Sequence, residues 1–392
     1  MVEIRTNGAT METKSKTADV GSWYLNRLVW LTAITVFPLI WAGGLVTTTN
    51  AGMAVPDWPG TNGYNLFLYP WTTWLFGPWD LFIEHGHRLL GSLAGIWCLV
   101  LVAATWVVRS SRVVRLMAIG ALVLVVVQGV MGGVRVLSVD REIARLHGCL
   151  GPAFFAYLMA MAVVTSRWWQ TVGERSFWTT QATDFSESNE PISDPGRYQA
   201  GQWVGKKLQS QRFLTTVVLG FAYLQLILGA SMRHVSPTAE PSDFRVLVWF
   251  HVLGAICTMA AVGTLSLAAR CPTPGISAPK WTLLALVVMQ VGLGLGTWVV
   301  KYNYPDWLAE YTFAQSHQIV SNDFFQVQIV TAHVAVGSLI LGVATFLLTR
   351  LWRAEFCLRS MMPSSRQATT TTFLVERTKA IVATGGESWK PC

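Results

Sequence analysis

The sequence predicts an all-α membrane protein of eight transmembrane helices, arranged as two pseudo-repeated four-helix bundles. Three observations carry this. The 392-residue chain is 52% hydrophobic and only 13% charged, about half the charged share of a soluble domain. Apolar runs of membrane-spanning length recur along it. Short motifs of Gln, His and Gly recur in its two halves at matching places. Lipid offers no water to satisfy backbone polar groups, so the runs are helices rather than open strands.

The predicted spans are about 28–47, 86–108, 116–137, 146–166, 213–232, 246–269, 281–300 and 329–350. Lys and Arg gather in alternate connectors, while the connector 48–83 has neither. The positive-inside rule then puts both termini in the cytoplasm and runs the even-numbered spans from outside to inside. The net charge of +8 follows this alternation. With no basic face carrying stacking aromatics, nucleic-acid binding is excluded. Residues 1–27 read as a cytoplasmic arm followed by a retained first helix, not a cleaved signal peptide. Residues 28–166 form the N-terminal bundle and 213–350 the C-terminal bundle. The polar stretch 167–212 reads as a cytoplasmic linker, and 351–392 as a mobile cytoplasmic tail.

Six cysteines, Cys98, Cys149, Cys257, Cys271, Cys357 and Cys392, show no C-x-x-C spacing. They read as free thiols rather than a disulfide or zinc framework. The connector 48–83 carries Val55-Pro56-Asp57-Trp58-Pro59, then Tyr69-Pro70-Trp71, Trp74 and Trp79. It reads equally as a set of interfacial anchors or as a stiff cover over a cavity.

The chemistry centres on Glu84-His85-Gly86-His87-Arg88, at the start of the second span. Ionisable groups at membrane depth are costly and mark function. His147, His251 and His333 lie within the first turns of the other even-numbered spans. Four imidazoles therefore fall at one depth and pair within each half, His87 with His147 and His251 with His333. Paired neutral imidazoles suit an iron bound on both axial sides of a flat macrocycle. Gly91, Gly151 and Gly337 follow three of them at i+4, and Gly254 follows His251 at i+3. Each removes a side chain on the histidine's own face. Zinc needs a third or fourth close ligand, and a di-iron carboxylate centre needs several more glutamates.

The halves differ. Aligning His87 with His251 puts Val248 opposite Glu84 and Val252 opposite Arg88. A carboxylate beside one pair alone suggests that chemistry happens in the first half and electron carriage in the second. Partial desolvation suits Glu84 to proton transfer, although an acid near a helix start is also favourable in itself. Arg88 is placed to pair either with a haem propionate or with Glu84. His85 lies about 200° round the helix from His87 and reads either as an interface residue or as one that supports the ligands from behind. His234 and His317 read as contacts to water or headgroups.

These residues together resemble the haem A synthase family. The resemblance rests on Glu84-x-x-His87-Arg88, Gly43-Gly44-Leu45-Val46 leading to Val55-Pro56-Asp57-Trp58-Pro59, Gln128-Gly129, and the paired histidines. It covers roughly residues 28–350. It implies oxidation of the C8 methyl of haem O to a formyl group by successive hydroxylations, for terminal oxidases. It places substrate haem O between His87 and His147, cofactor haem b between His251 and His333, and the functional carboxylate at Glu84. It also implies a bacterial plasma membrane and an enzyme that supplies haem O as a partner. The cysteine pair that some bacterial members carry in the first outer loop is absent from 48–83. The electron acceptor, the oxygen source and any homo-oligomer stay open. Two rival readings remain: a non-catalytic di-haem cytochrome relaying electrons from quinol, and a transporter whose histidines relay protons.

Overall fold

A computed structural model describes residues 6–174, 177–178, 195–236, 238–268, 273–302 and 324–362. The fold is all-α. Eight long helices dominate: α1 (Thr6–Thr48), α2 (Trp79–Val107), α3 (Arg112–Ser138), α4 (Arg141–Val164), α5 (Pro195–Arg233), α6 (Pro241–Leu267), α7 (Ser277–Tyr302) and α8 (Phe324–Met361). All eight are long and apolar enough to cross a membrane. Their outward faces present Leu99, Val107, Val123, Leu253 and Ile256 to the surroundings, an apolar belt that only lipid can cover.

Local chemistry sets several helix starts. The Asp140 carboxylate accepts from the Glu142 and Ile143 amides at 2.7 and 3.0 Å, and the Ser111 hydroxyl accepts from the Val114 amide. Each satisfies amides that have no partner inside the helix. Pro241 opens α6, where its missing N–H costs nothing. Val139 in the left-handed region stops α3.

Helices α1–α4 close a ring of neighbours, as do α5–α8, but the halves are not isolated. Helix α8 packs on α4 about as extensively as on α5, and on α1 as well. These two central helices are the most buried spans. A Cβ at Gly342 would lie 2.6 Å from the Phe155 ring, so the close α4–α8 approach depends on glycine. The Phe37 and Phe155 rings, 6.1 Å apart, extend that seam to α1.

Several helices outrun their predicted spans. Helix α1 begins at Thr6, within the predicted arm, and α5 begins at Pro195, within the predicted linker. A short helix, Arg167–Thr171, occupies the start of that linker. Helix α8 continues to Met361, eleven residues into the predicted mobile tail. Hydropathy could not see this last extension because its support is amphipathic. Leu351, Ala354, Cys357 and Leu358 are buried in the core, and buried Glu355 pairs with Arg212 of α5 at 3.1 Å and with Arg359. Cys357 therefore joins Cys98, Cys149 and Cys257 as a helical free thiol. The remainders of the linker and tail, His317, Cys271 and Cys392 lie outside the described residues.

Candidate functional site

Four glycines on the odd-numbered helices make room for the four histidines on the even ones. A Cβ at Gly43 would lie 2.9 Å from Cε1 of His87; at Gly132, 3.1 Å from that of His147; at Gly229, 3.5 Å from that of His251; at Gly294, 3.1 Å from that of His333. Each imidazole thus lies edge-on against bare backbone of the preceding helix. One turn earlier on those odd helices stand Leu39, Gln128, Gln225 and Gln290. Each faces the glycine that follows the histidine: Gly91, Gly151, Gly254 and Gly337. The unit that repeats is therefore a helix hairpin used four times, finer than the twofold repeat legible in sequence. The first hairpin departs from it, with Leu39 in place of glutamine.

The hairpins bring the histidines together in pairs. The ring centres of His87 and His147 are 6.4 Å apart, with planes at 77°. Those of His251 and His333 are 6.2 Å apart, at 66°. All four Nδ1 atoms are buried without a hydrogen-bond partner, which is costly for a ring nitrogen unless something else engages the imidazole. A metal held about 2 Å from one nitrogen of each ring leaves the ring centres roughly 6 Å apart. Both pairs match that spacing. Among the described residues no group of three or more His, Cys, Asp or Glu gathers round a metal position.

Glu84 and Arg88 lie on the helix that carries His87. Glu84, 1% exposed, bonds through Oε1 to Nη2 of Arg88 at 2.9 Å, while its Oε2 has no partner. Arg88 also donates from Nη1 to the carbonyls of Asp57 (2.6 Å) and Gly60 (2.7 Å), and from Nη2 to that of Val55 (2.6 Å). Its pairing is with Glu84 and the connector backbone. Both terminal nitrogens are committed to these four bonds.

The connector between α1 and α2 is an ordered cover tied down on several sides. Asp57 accepts from the amides of Asn62 (2.8 Å) and Gly63 (2.9 Å). Partial burial alone would push its carboxyl up, but those amides and the Arg88 charge outweigh burial and hold it below the usual carboxylate range. The Trp58 indole lies on Gly133 of α3, where any Cβ would overlap it. His85, 2% exposed, shares a 2.9 Å hydrogen bond with Thr61 and packs against Tyr69 and Trp74. These contacts tie His85 to the connector. His234 closes back on the Ala230 carbonyl at 2.9 Å at the end of α5.

Two arginines escaped the sequence reading. Arg135 on α3 lies with Nη1 against Gly52, and its charge is felt by Glu84, His87 and His147. Arg233 on α5 donates from Nη2 to the Gly44 carbonyl (3.1 Å) and to the Thr48 hydroxyl (2.8 Å) of α1, joining the halves. Both sit near helix ends, where basic residues are ordinary. The available signal was their position, three and four residues beyond Gly132 and Gly229.

Compared with known proteins, the chain is similar to "Heme A synthase" of Listeria monocytogenes serotype 4a and of Listeria innocua serovar 6a. Each is 30% identical over 142 residues, covering 34% of this chain and 43% of the relative. The protein of that name from Listeria welshimeri serovar 6b is 28% identical over the same length. The similarity therefore spans less than half the length of these relatives. No protein-family profile matches the chain.

Proposed function

We propose that this protein is a haem-dependent membrane oxidoreductase that converts haem O to haem A. It would oxidise the C8 methyl of its substrate to a formyl group by successive hydroxylations in a bacterial plasma membrane. The observation that carries the reading is the duplicated histidine pair with a single-sided carboxylate. Both pairs have the spacing of two rings sharing a metal, yet only the first has Glu84 one turn away, where the second half has Val248. The partial similarity to the Listeria proteins points the same way.

In this reading the chain forms two four-helix bundles. His87 and His147 hold the substrate haem O, and His251 and His333 hold haem b. The iron group of the second pair supplies electron carriage when bound. The chain's own contributions can be stated separately. Gly43 and Gly132, with their counterparts Gly229 and Gly294, fix the imidazoles edge-on. Oε2 of Glu84, buried and unbonded, would accept the proton when a methyl C–H bond is oxidised, the two electrons passing to an external oxidant. Arg88 keeps Glu84 aimed by holding Oε1. The cover, fastened by Arg88, His85 and Trp58, shuts water out above the first pair, which strengthens every electrostatic interaction beneath it.

The test is to express the chain in a host that makes haem O but not haem A, and to extract the haems. Formyl or hydroxylated haem supports the proposal. Haem O alone, from a folded protein that holds haem, would favour the non-catalytic di-haem cytochrome. A protein that holds no haem in haem-replete cells would refute both.

A further inference from the structure

Arg135 is a second polar group at the first histidine pair, and neither the sequence motifs nor the proposed chemistry uses it. It stands three residues beyond Gly132, so it shares that glycine's face, one turn nearer the covered end of the bundle. Gly132 in turn abuts His147. Its Nε is buried with no hydrogen-bond partner. Among the described residues no carboxylate pairs with it: Glu84 pairs with Arg88, Glu142 with Arg145, and Glu355 with Arg212 and Arg359. Glu84 is close enough to feel its charge, yet the unbonded Oε2 of Glu84 and the unbonded Nε of Arg135 do not meet.

A guanidinium has five N–H donors and cannot shed its charge. Half-buried, with its Nε fully enclosed and no ion pair among the described residues, Arg135 favours an acidic partner. A second helix-end arginine is held by the protein itself: Arg233 of α5 donates to the Gly44 carbonyl and the Thr48 hydroxyl of α1. Among the described residues Arg135 has no such protein acceptors. Its planar fork suits a carboxylate bidentately.

We infer that Arg135 is the carboxylate receptor of the first histidine pair, binding an acidic side arm of the flat iron macrocycle and so fixing which edge of the ring faces Glu84. This rests on the proposed function, since it takes His87 and His147 as the ligands of that iron. Arg135 is a ligand-positioning residue here, with Glu84 keeping the proton-transfer role.

The test uses the full chain, produced under haem limitation and carrying His251→Ala so that one pair is read. It is titrated with iron protoporphyrin and with its dimethyl ester, following the bis-imidazole absorption bands. The diacid should bind about tenfold to a hundredfold more tightly than the diester. Arg135→Leu should bring that ratio close to one by weakening the diacid alone, and Arg135→Lys should restore part of it. A ratio unchanged in Arg135→Leu, with normal bis-imidazole bands, overturns the inference. Absence of those bands with either probe overturns the histidine pairing itself, which is a different failure. In the His251→Ala chain loaded with iron protoporphyrin, resonance Raman gives an independent reading: the propionate-bending band should move in Arg135→Leu, and a band that stays put overturns the inference.

Discussion

Replacing Arg88 by methionine tests how the cover is held. The substitution keeps much of the side chain's apolar volume but removes four hydrogen bonds, to the carbonyls of Val55, Asp57 and Gly60 and to Glu84. Each bond from a charged donor contributes about 1.5–3 kcal/mol, and such terms do not simply add. The side chains are only 10% and 2% exposed for Arg88 and Glu84, so removing the arginine also strands a buried acid, at a cost of about 3–5 kcal/mol. Water can reach the freed carbonyls once the cover lifts, so we take about 3–5 kcal/mol as the net change in the free energy of opening. That corresponds to roughly a hundredfold to several-thousandfold faster hydrogen exchange at the amides of Thr61, Asn62, Gly63 and Tyr64. Amides in the middle of α2 should be unchanged. Arg88→Lys, which can still neutralise Glu84 but cannot fork to three carbonyls, should fall between. Acceleration of less than about fivefold in Arg88→Met would refute the idea that this arginine clamps the cover.

Other outcomes follow from the same contacts. Because the Asp57 carboxyl is held below its ordinary value, the stability it lends the cover is complete above about pH 4 and is lost as pH falls through the lower folded value. Pepsin cleavage between residues 55 and 64 should rise steeply in that acid range and lose its steep step in Asp57→Asn. Gly294→Val should displace His333, whose Cε1 lies 3.1 Å from the added Cβ, and lower the retained haem at least severalfold; unaltered haem content and spectrum would count against the glycine cradle. His251→Ala should abolish the resident low-spin haem spectrum, while Glu84→Ala should retain it and lose about a hundredfold or more in turnover. Full activity in Glu84→Ala would remove that residue from the mechanism.

Much of this architecture is legible in sequence because lipid imposes it. Long apolar runs leave one solution for the backbone, and the alternating basic connectors order the helices. The pairing of His87 with His147 and of His251 with His333 follows from depth and helix parity. What the sequence hides depends on side chains meeting across elements. The role of Gly43 against His87 is invisible without knowing how α1 lies on α2. Gln225 is easily missed because no glycine stands between it and Gly229, whereas α3 and α7 carry Gly129 and Gly292 in that interval. Arg135 and Arg233 look like ordinary interfacial charges until the helices are packed. The extension of α8 past Arg350 is masked by Glu355 and Arg359, whose charges pair in the fold. The connector's Pro and Trp content points to stiffness, but the three carbonyls held by Arg88 show only in the folded chain.

The central claim, that the first histidine pair presents a haem to Glu84 for oxidation, is tested most directly by the identity of the haem extracted from a haem O-producing host. Cells carrying the intact chain should yield a formyl haem. The product should disappear in Glu84→Ala while the haem of the second pair remains. Unmodified haem O from the intact chain, folded in the membrane and holding its second haem, would contradict it.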